Sequence, residues 1–340
     1  MRIALDATGG DLGSELLIDG ALLAINKRHD LEVVLLGPED LLNEQVARQK
    51  NAGKETSRLS IVHASQTISM HESPVDAVRK KKDSTIMVGF DLVKKGQADA
   101  MVSAGNSGAT LAAAIRKLGR LKGIARPGIA SLFPSLKDPV MLMDIGANVD
   151  CRPQHLFQFA IMASSCSALL IKKKRPRIGL LSNGEESGKG NSLVKETYGL
   201  LQESSLNFIG NVEGRDVYHG DVDVIVCDGF VGNVSLKISE GLAEAAMQML
   251  KAEILKSLRA KIGYLFIRKA FSAFRTRLDY AEYGGAPLLG INGTGIICHG
   301  SSSSLAICNA IGVAANMIDN NVNDSIMKTL AECTEVRGHA

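Results

Sequence analysis

The sequence predicts a doubly wound α/β fold built on a largely parallel sheet. Three observations predict it: short apolar runs bounded by glycine recur along the chain, segments with helical spacing separate them, and the loops that follow the runs are rich in Gly, Asn and Asp. Strand–helix alternation needs crossover connections, and crossovers give parallel strands with helices on both faces.

In chain order the runs are IALDA (from Ile3), EVVLLG (from Glu32), LSIVHA (from Leu59), DAMVSAG (from Asp99), VMLMDIG (from Val140), RIGLLSNG (from Arg177), LNFIGNV (from Leu206) and VDVIVCDG (from Val222). Each reads as a buried strand. Between them, SELLIDGALLAINK has helical spacing, with Leu16, Leu17, Leu22 and Leu23 on one side and Glu15, Asp19 and Lys27 on a wetter one. Ligands of such sheets bind beyond the carboxyl ends of the strands, so chemistry is expected in ATGGD, SAGNSGAT, IGANVD, SNGEESGKGNS and DGFVGN. No internal repeat or low-complexity tract occurs, and the last dozen residues, ending EVRGHA, read as frayed.

At 340 residues the chain can form one large α/β unit or two lobes. The expectation is a single catalytic unit over residues 1–340 that contains a basic amphipathic helical segment at about 248–280. Six dispersed cysteines form no C-x-x-C pair, which favours reduced, buried thiols over a zinc knuckle or redox couple. Nothing at the amino terminus resembles a signal peptide and no run of about 18 apolar residues occurs, so a cytoplasmic protein is expected. The net charge of +3 is too small to argue for nucleic acid. Its distribution is uneven: Lys251 to Arg277 holds eight Lys or Arg and only Glu253 as an acid, a local +7 against −4 for the remainder.

Asn106, Ser107 and Gly108 sit between a strand and an alanine-rich helix, where backbone N–H groups can approach an anion. A Gly-Asn turn also joins strand to helix for steric reasons alone. GEESGKGNS departs from the Walker spacing and has Gly190 after Lys189, which rejects an ATP site. Lys189 still lies among glycines beyond a strand, where an ammonium can meet a phosphate or an oxyanion, or simply be solvated. Of Arg79, Lys80, Lys81 and Lys82, a helix lets one or two face a cleft. His299, between an apolar run and Gly300, suits either a core hydrogen bond or a site role. There is no G-x-S-x-G elbow, no H-E-x-x-H and no G-x-G-x-x-G. The basic segment interleaves Phe266 and Phe271 with Lys256, Arg259, Lys261, Arg268 and Lys269, a mixture that suits an anionic membrane surface or an acidic partner. Packing on the body or on a second subunit is the alternative.

The order of IALDATGGD, RKKKDST, SAGNSGAT, DIGANVDC, GEESGKGN, FIGNVEGRD, GDVDVIVCDGFVGN, EYGGAPLLGINGTG and CHGSS resembles the acyl-acyl carrier protein:phosphate acyltransferase family of bacterial phospholipid synthesis, over nearly the whole chain. Departures are Thr8 where the family more often has Met, Ser107 where it has Thr, and Ser187 in a loop that is more often aliphatic or acidic. The resemblance implies two lobes around a cleft, the architecture shared with phosphate acetyltransferases and the isocitrate and isopropylmalate dehydrogenases, in a homodimer. It implies transfer of a long-chain acyl group from acyl carrier protein to inorganic phosphate, giving acyl phosphate for phospholipid synthesis. Implied partners are the carrier protein, a membrane surface and the downstream glycerol-3-phosphate acyltransferase, with no cofactor, no metal and no nucleic acid. Chemistry and motif position then assign phosphate holding to Asn106, Ser107 and Gly108 with Arg79, and oxyanion or leaving-group stabilisation to Lys189, helped by Asn191, Asn233 and His299. Rival readings are a phosphate acetyltransferase using acyl-CoA, a metal-dependent decarboxylating dehydrogenase, and a non-catalytic scaffold at the membrane surface.

Overall fold

A computed structural model describes residues 1–278 and 283–338. The chain begins β1 (Arg2–Asp6), α1 (Ser14–Lys27), β2 (Glu32–Gly37), α2 (Glu39–Asn51), β3 (Leu59–His63), α3 (Pro74–Lys80), α4 (Thr85–Lys94), β4 (Ala100–Ser103) and α5 (Ser107–Leu118). It continues β5 (Gly128–Phe133), β6 (Val140–Met143), α6 (Pro153–Leu170), β7 (Ile178–Leu181), α7 (Ser192–Gln202), β8 (Phe208–Val212), α8 (Asp216–His219) and β9 (Val224–Val226). It closes with α9 (Gly229–Lys256), α10 (Leu258–Leu278), β10 (Ala286–Leu289), β11 (Gly295–Ile297), α11 (Ser304–Asp319) and α12 (Val322–Gly338).

The strands form one sheet in the order β3-β2-β1-β4-β11-β10-β5-β6-β9-β7-β8. Neighbours pair in parallel except at β11–β10, β10–β5 and β5–β6. Those three antiparallel steps divide the sheet into lobe A (β3, β2, β1, β4, β11) and lobe B (β6, β9, β7, β8), bridged by β10 and β5. An odd number of reversals gives the two lobes opposite strand polarity.

All eight expected strands are present. The three that sequence reading missed are β5, β10 and β11, which make the bridge or border it. Pro287 within β10 and the three-residue length of β11 weaken the strand signal. Strand residues alternate between two apolar layers. Ile3, Leu5, Val33, Leu35 and Val102 join one with helices α1, α6 and α11, while Ala4, Val34, Leu36 and Met101 join the other with α4 and α5. Burial on both faces explains why these runs are continuously apolar.

Two local expectations are corrected. Helix α1 buries Leu17, Ile18, Ala21, Leu22 and Ile25 and leaves Leu23 exposed, because the inward stripe follows the helical repeat rather than the leucine pairs. The last dozen residues are not frayed as far as Gly338, since α12 runs on to it. Residues 339–340 lie outside the described residues, as do 279–280 at the end of the expected basic segment.

Helices α9 and α10 behave differently from the body. Of the 28 residues of α9 only Gly229 and Gly232 are buried, and a single extended residue, Ser257, links it to α10. Ile238, Leu242, Met249, Leu258, Ile262, Leu265 and Phe266 are all exposed. No helix among the described residues is long and apolar enough to cross a membrane.

Candidate functional site

In each lobe one strand leads into a buried aspartate, β1 into Asp6 and β6 into Asp144, and a glycine-rich loop follows it. In lobe A, Asp6 closes β1. Ser103 Oγ donates to its Oδ2 at 2.8 Å and the Thr8 N–H to its Oδ1 at 3.3 Å, while the Gly105 N–H donates to Ser103 Oγ at 3.0 Å. Burial pushes the Asp6 carboxyl above its ordinary range, against these hydrogen bonds.

Asn106, next along that loop, is the N-cap of α5. Its Oδ1 accepts from the Ala109 N–H at 3.0 Å, and its Nδ2 donates to the carbonyls of Ser69, Met70 and Glu72, each at 3.2 Å. The side chain is thereby fully used in joining the loop after β4 to the segment after β3. Ser107 is exposed. At Gly108 an added Cβ would lie 2.7 Å from Pro74 Cγ, so this position lets the starts of α3 and α5 approach. Lys81 is also spent locally, its Nζ donating to the Thr67 carbonyl at 2.7 Å and to Glu72 Oε1 at 2.6 Å. Arg79, in the last turn of α3, is exposed. His299 follows β11. Its Nδ1 accepts from the Ser301 N–H at 3.2 Å and lies 2.8 Å from Ser301 Oγ. The next residue, Gly300, accepts from the Asp11 N–H at 2.8 Å. Thus Asn106, Ser107, Gly108 and His299 share the carboxyl end of lobe A.

In lobe B, Asp144 follows β6 and is fully buried. It accepts from the Ile129 and Ala147 N–H groups at 3.1 Å, from the Asn148 N–H at 2.7 Å and from Asn148 Nδ2 at 3.0 Å. Burial again raises its pKa. Asp228 caps α9 by accepting the Val231 N–H at 2.9 Å, and Asn233 on that helix lies against Gly146. Asn191 caps α7 by accepting the Val194 N–H at 2.9 Å. Asn183 Oδ1 accepts the Gly190 N–H at 2.9 Å and holds the intervening loop. The Lys189 side chain runs over Gly184, where an added Cβ would be 2.9 Å from Lys189 Cγ. Lys189 is exposed and has no side-chain partner among the described residues.

The expected site residues therefore fall into two groups, Asn106–Gly108 with His299 and Lys189 with Asn191 and Asn233. No bond described above joins one lobe to the other. Asp223 is a fork partner of Arg177, whose Nε and Nη2 donate to it at 3.0 and 3.1 Å. Sequence reading missed Asp6 and Asp144. Their signal was available, an acid ending an apolar run directly before a glycine loop, in LDATGG and MDIGAN.

Cys166, Cys227, Cys298, Cys308 and Cys333 are buried free thiols and Cys151 is half-buried. Burial, followed by the charge of Asp144, pushes the Cys151 thiol up to about 11. In the basic segment Lys256, Arg259, Lys261, Arg268 and Lys269 are exposed, and Phe266 is 84% exposed. Phe271 packs edge-on to Tyr264 at 5.5 Å between ring centres.

Residues 1–325 match the family described as "Fatty acid synthesis protein". The chain is 53% identical over 332 residues to the phosphate acyltransferase of Geotalea uraniireducens (strain Rf4), covering 98% of this chain and 95% of that protein. It is 51% identical over 330 residues to the phosphate acyltransferase of Geobacter sulfurreducens, covering 97% and 94%. Among solved structures it is similar to a phosphotransacetylase from Streptococcus pyogenes, with a TM-score of 0.63, 18% identity and 94% of each chain covered. The EutD phosphotransacetylase from Staphylococcus aureus gives a TM-score of 0.62 at the same identity and coverage. These two likenesses bear on the fold, a two-lobed α/β architecture.

Proposed function

The chain belongs to the fatty acid synthesis protein family, and from that premise we propose that it is a phosphate acyltransferase that moves a long-chain acyl group from acyl carrier protein to inorganic phosphate. The observation that carries the reading is the full-length similarity to proteins named phosphate acyltransferase. The acyl phosphate formed is a precursor for phospholipid synthesis.

A phosphate oxygen attacks the thioester carbonyl, a tetrahedral oxyanion forms, the C–O bond is made and the C–S bond breaks to release the pantetheine thiolate. Phosphate is itself the nucleophile, so the reaction needs reactants held together and charge stabilised rather than an activated side chain. The high pKa of the Cys151 thiol fits that view.

In this reading the start of α5 holds phosphate through the backbone N–H groups and hydroxyl of Ser107 and the N–H of Gly108, with Arg79 nearby. Asn106 contributes by shaping the loop, since its amide is already bonded. Lys189, exposed and unpaired, stabilises the oxyanion or the leaving thiolate, with Asn191 and Asn233 ordering the loops beside it and His299 facing from lobe A. The two lobes then form the walls of one cleft.

The exposed apolar and basic side chains of α9 and α10 support a peripheral membrane contact. Lys256, Arg259, Lys261, Arg268 and Lys269 also suit an acidic carrier protein, and Phe266 and Phe271 suit acyl-chain delivery. A cytoplasmic homodimer that hands acyl phosphate to a membrane glycerol-3-phosphate acyltransferase completes the reading. The test is product formation from long-chain acyl carrier protein, long-chain acyl-CoA and acetyl-CoA in parallel. Phosphate-dependent acyl phosphate from the carrier donor supports the proposal. Product from acetyl-CoA alone would move the assignment to a phosphotransacetylase, and no product with intact vesicle binding would favour a scaffold.

A further inference from the structure

The carboxyl end of lobe B carries a second set of unpaired cations that the acyl-transfer reading does not use. Arg126 lies between two fixed residues. The Ala125 N–H donates to Oε1 of the buried Gln158 at 2.8 Å, and the Pro127 carbonyl accepts from Asn148 Nδ2 at 2.8 Å. Gln158 is bound on its other side as well, its Nε2 donating to the Gly123 carbonyl at 2.8 Å. Gln158 and His155 are three residues apart on α6 and so lie on one face of it, the face against which the backbone before Arg126 is held.

Arg152 approaches the same imidazole from the start of α6. Its backbone N–H donates to His155 Nδ1 at 3.1 Å. With Nδ1 accepting, the neutral ring carries its proton on Nε2 and presents an N–H donor there. Burial, and then the charges of Arg126 and Arg152, hold the His155 pKa below its ordinary value, so the ring is neutral near pH 7. Both arginines are exposed, and neither forms an ion pair among the described residues. The backbone at Arg126 and at Arg152 is therefore held at the positive end of an 18-residue helix that carries the imidazole donor, and no carboxylate pairs with either arginine among the described residues. Strands β6, β9 and β7 are neighbours and parallel, so this cluster shares its end of the sheet with Asp144, Asn233 and Lys189.

We infer that Arg126, Arg152 and His155 form an oxyanion subsite for a phosphate-type group. The planar forks match phosphate oxygens bidentately, and a bound dianion removes the repulsion between the two arginines. Two sources supply that chemistry: inorganic phosphate, and the phosphodiester that joins a pantetheine arm to a carrier protein. The second source rests on the carrier reading given above.

The test is first a binding measurement that needs no turnover. The His155 ring resonance, assigned by its loss in His155→Gln, is followed while inorganic phosphate is added to the full-length protein. A saturable shift is expected, weakened at least about tenfold in an Arg126→Gln/Arg152→Gln double variant and partly retained with Arg126→Lys/Arg152→Lys. KM values then separate the sources. A rise in KM for phosphate with carrier KM unmoved assigns free phosphate. A rise in carrier KM, with that of an acyl thioester lacking the phosphodiester unmoved, assigns the pantetheine arm. If phosphate shifts His155 equally in wild type and the double variant, or not at all, and neither KM moves, the subsite is overturned. Loss of the shift in the double variant alongside a wild type that makes no acyl phosphate would keep the subsite and remove the acyl-transfer reading.

Discussion

The carboxyl ends of the two lobes are built on one plan and left with different residues to spare. Asp6 and Asp144 each sit buried at the end of a strand and collect donors from the loop that follows and from a neighbouring strand. In lobe A the polar side chains around that anchor are largely consumed, Asn106 by four hydrogen bonds and Lys81 by Thr67 and Glu72. In lobe B the anchor is satisfied by backbone and by Asn148, which leaves Lys189, Arg126 and Arg152 without partners among the described residues. Conspicuous motif residues thus divide into those that shape a loop and those that remain free for chemistry.

The largest expected effect tests the shared anchor. Asp144→Ala removes the acceptor of three N–H donors, two of them buried, and one of the two acceptors of the Asn148 amide, and should destabilise the fold by at least about 3 kcal/mol in urea unfolding, each lost partner costing about 1–3 kcal/mol. A smaller loss would mean that the loop relaxes without it. Next comes the free cation: Lys189→Ala should lower turnover by roughly 10²–10³-fold, about 2.7–4 kcal/mol, with the unfolding midpoint unmoved. Unchanged turnover with only a raised KM would remove its transition-state role. In lobe A the pair Asn106→Ala and Ser107→Ala should split. The first is expected to cost about 1–2 kcal/mol of stability through the lost cap, and the second to stay within about 0.5 kcal/mol while raising KM for phosphate. The smallest effect concerns Cys151, whose thiol stays protonated below about pH 11. Alkylation should be slow at pH 8 and quicken only toward that value, and Cys151→Ala should leave turnover unchanged.

Much of this division was legible in part. The eight apolar runs announced their strands because both faces of the sheet are covered, and the Gly, Asn and Asp loops marked the carboxyl ends of those strands. What the sequence withheld is long-range. Nothing near Asn106 reveals that its amide reaches the carbonyls of Ser69, Met70 and Glu72, and nothing near Arg126 reveals that Gln158 holds the backbone of its neighbour Ala125. The bridge was hidden for another reason: β10 and β11 are short, and their identity as strands comes from pairing across the middle of the sheet. The basic segment was visible from charge alone, but that α9 starts at Gly229 and buries only Gly229 and Gly232 depends on what fails to cover the rest.

The most direct test of direct acyl transfer is a single-turnover experiment that follows carrier thiol release and protein mass, with and without phosphate. The account expects thiol release only when phosphate is present, acyl phosphate appearing at the same rate, and no gain in protein mass. A burst of thiol without phosphate, accompanied by an acyl group on the chain, would contradict it and make a protein nucleophile necessary.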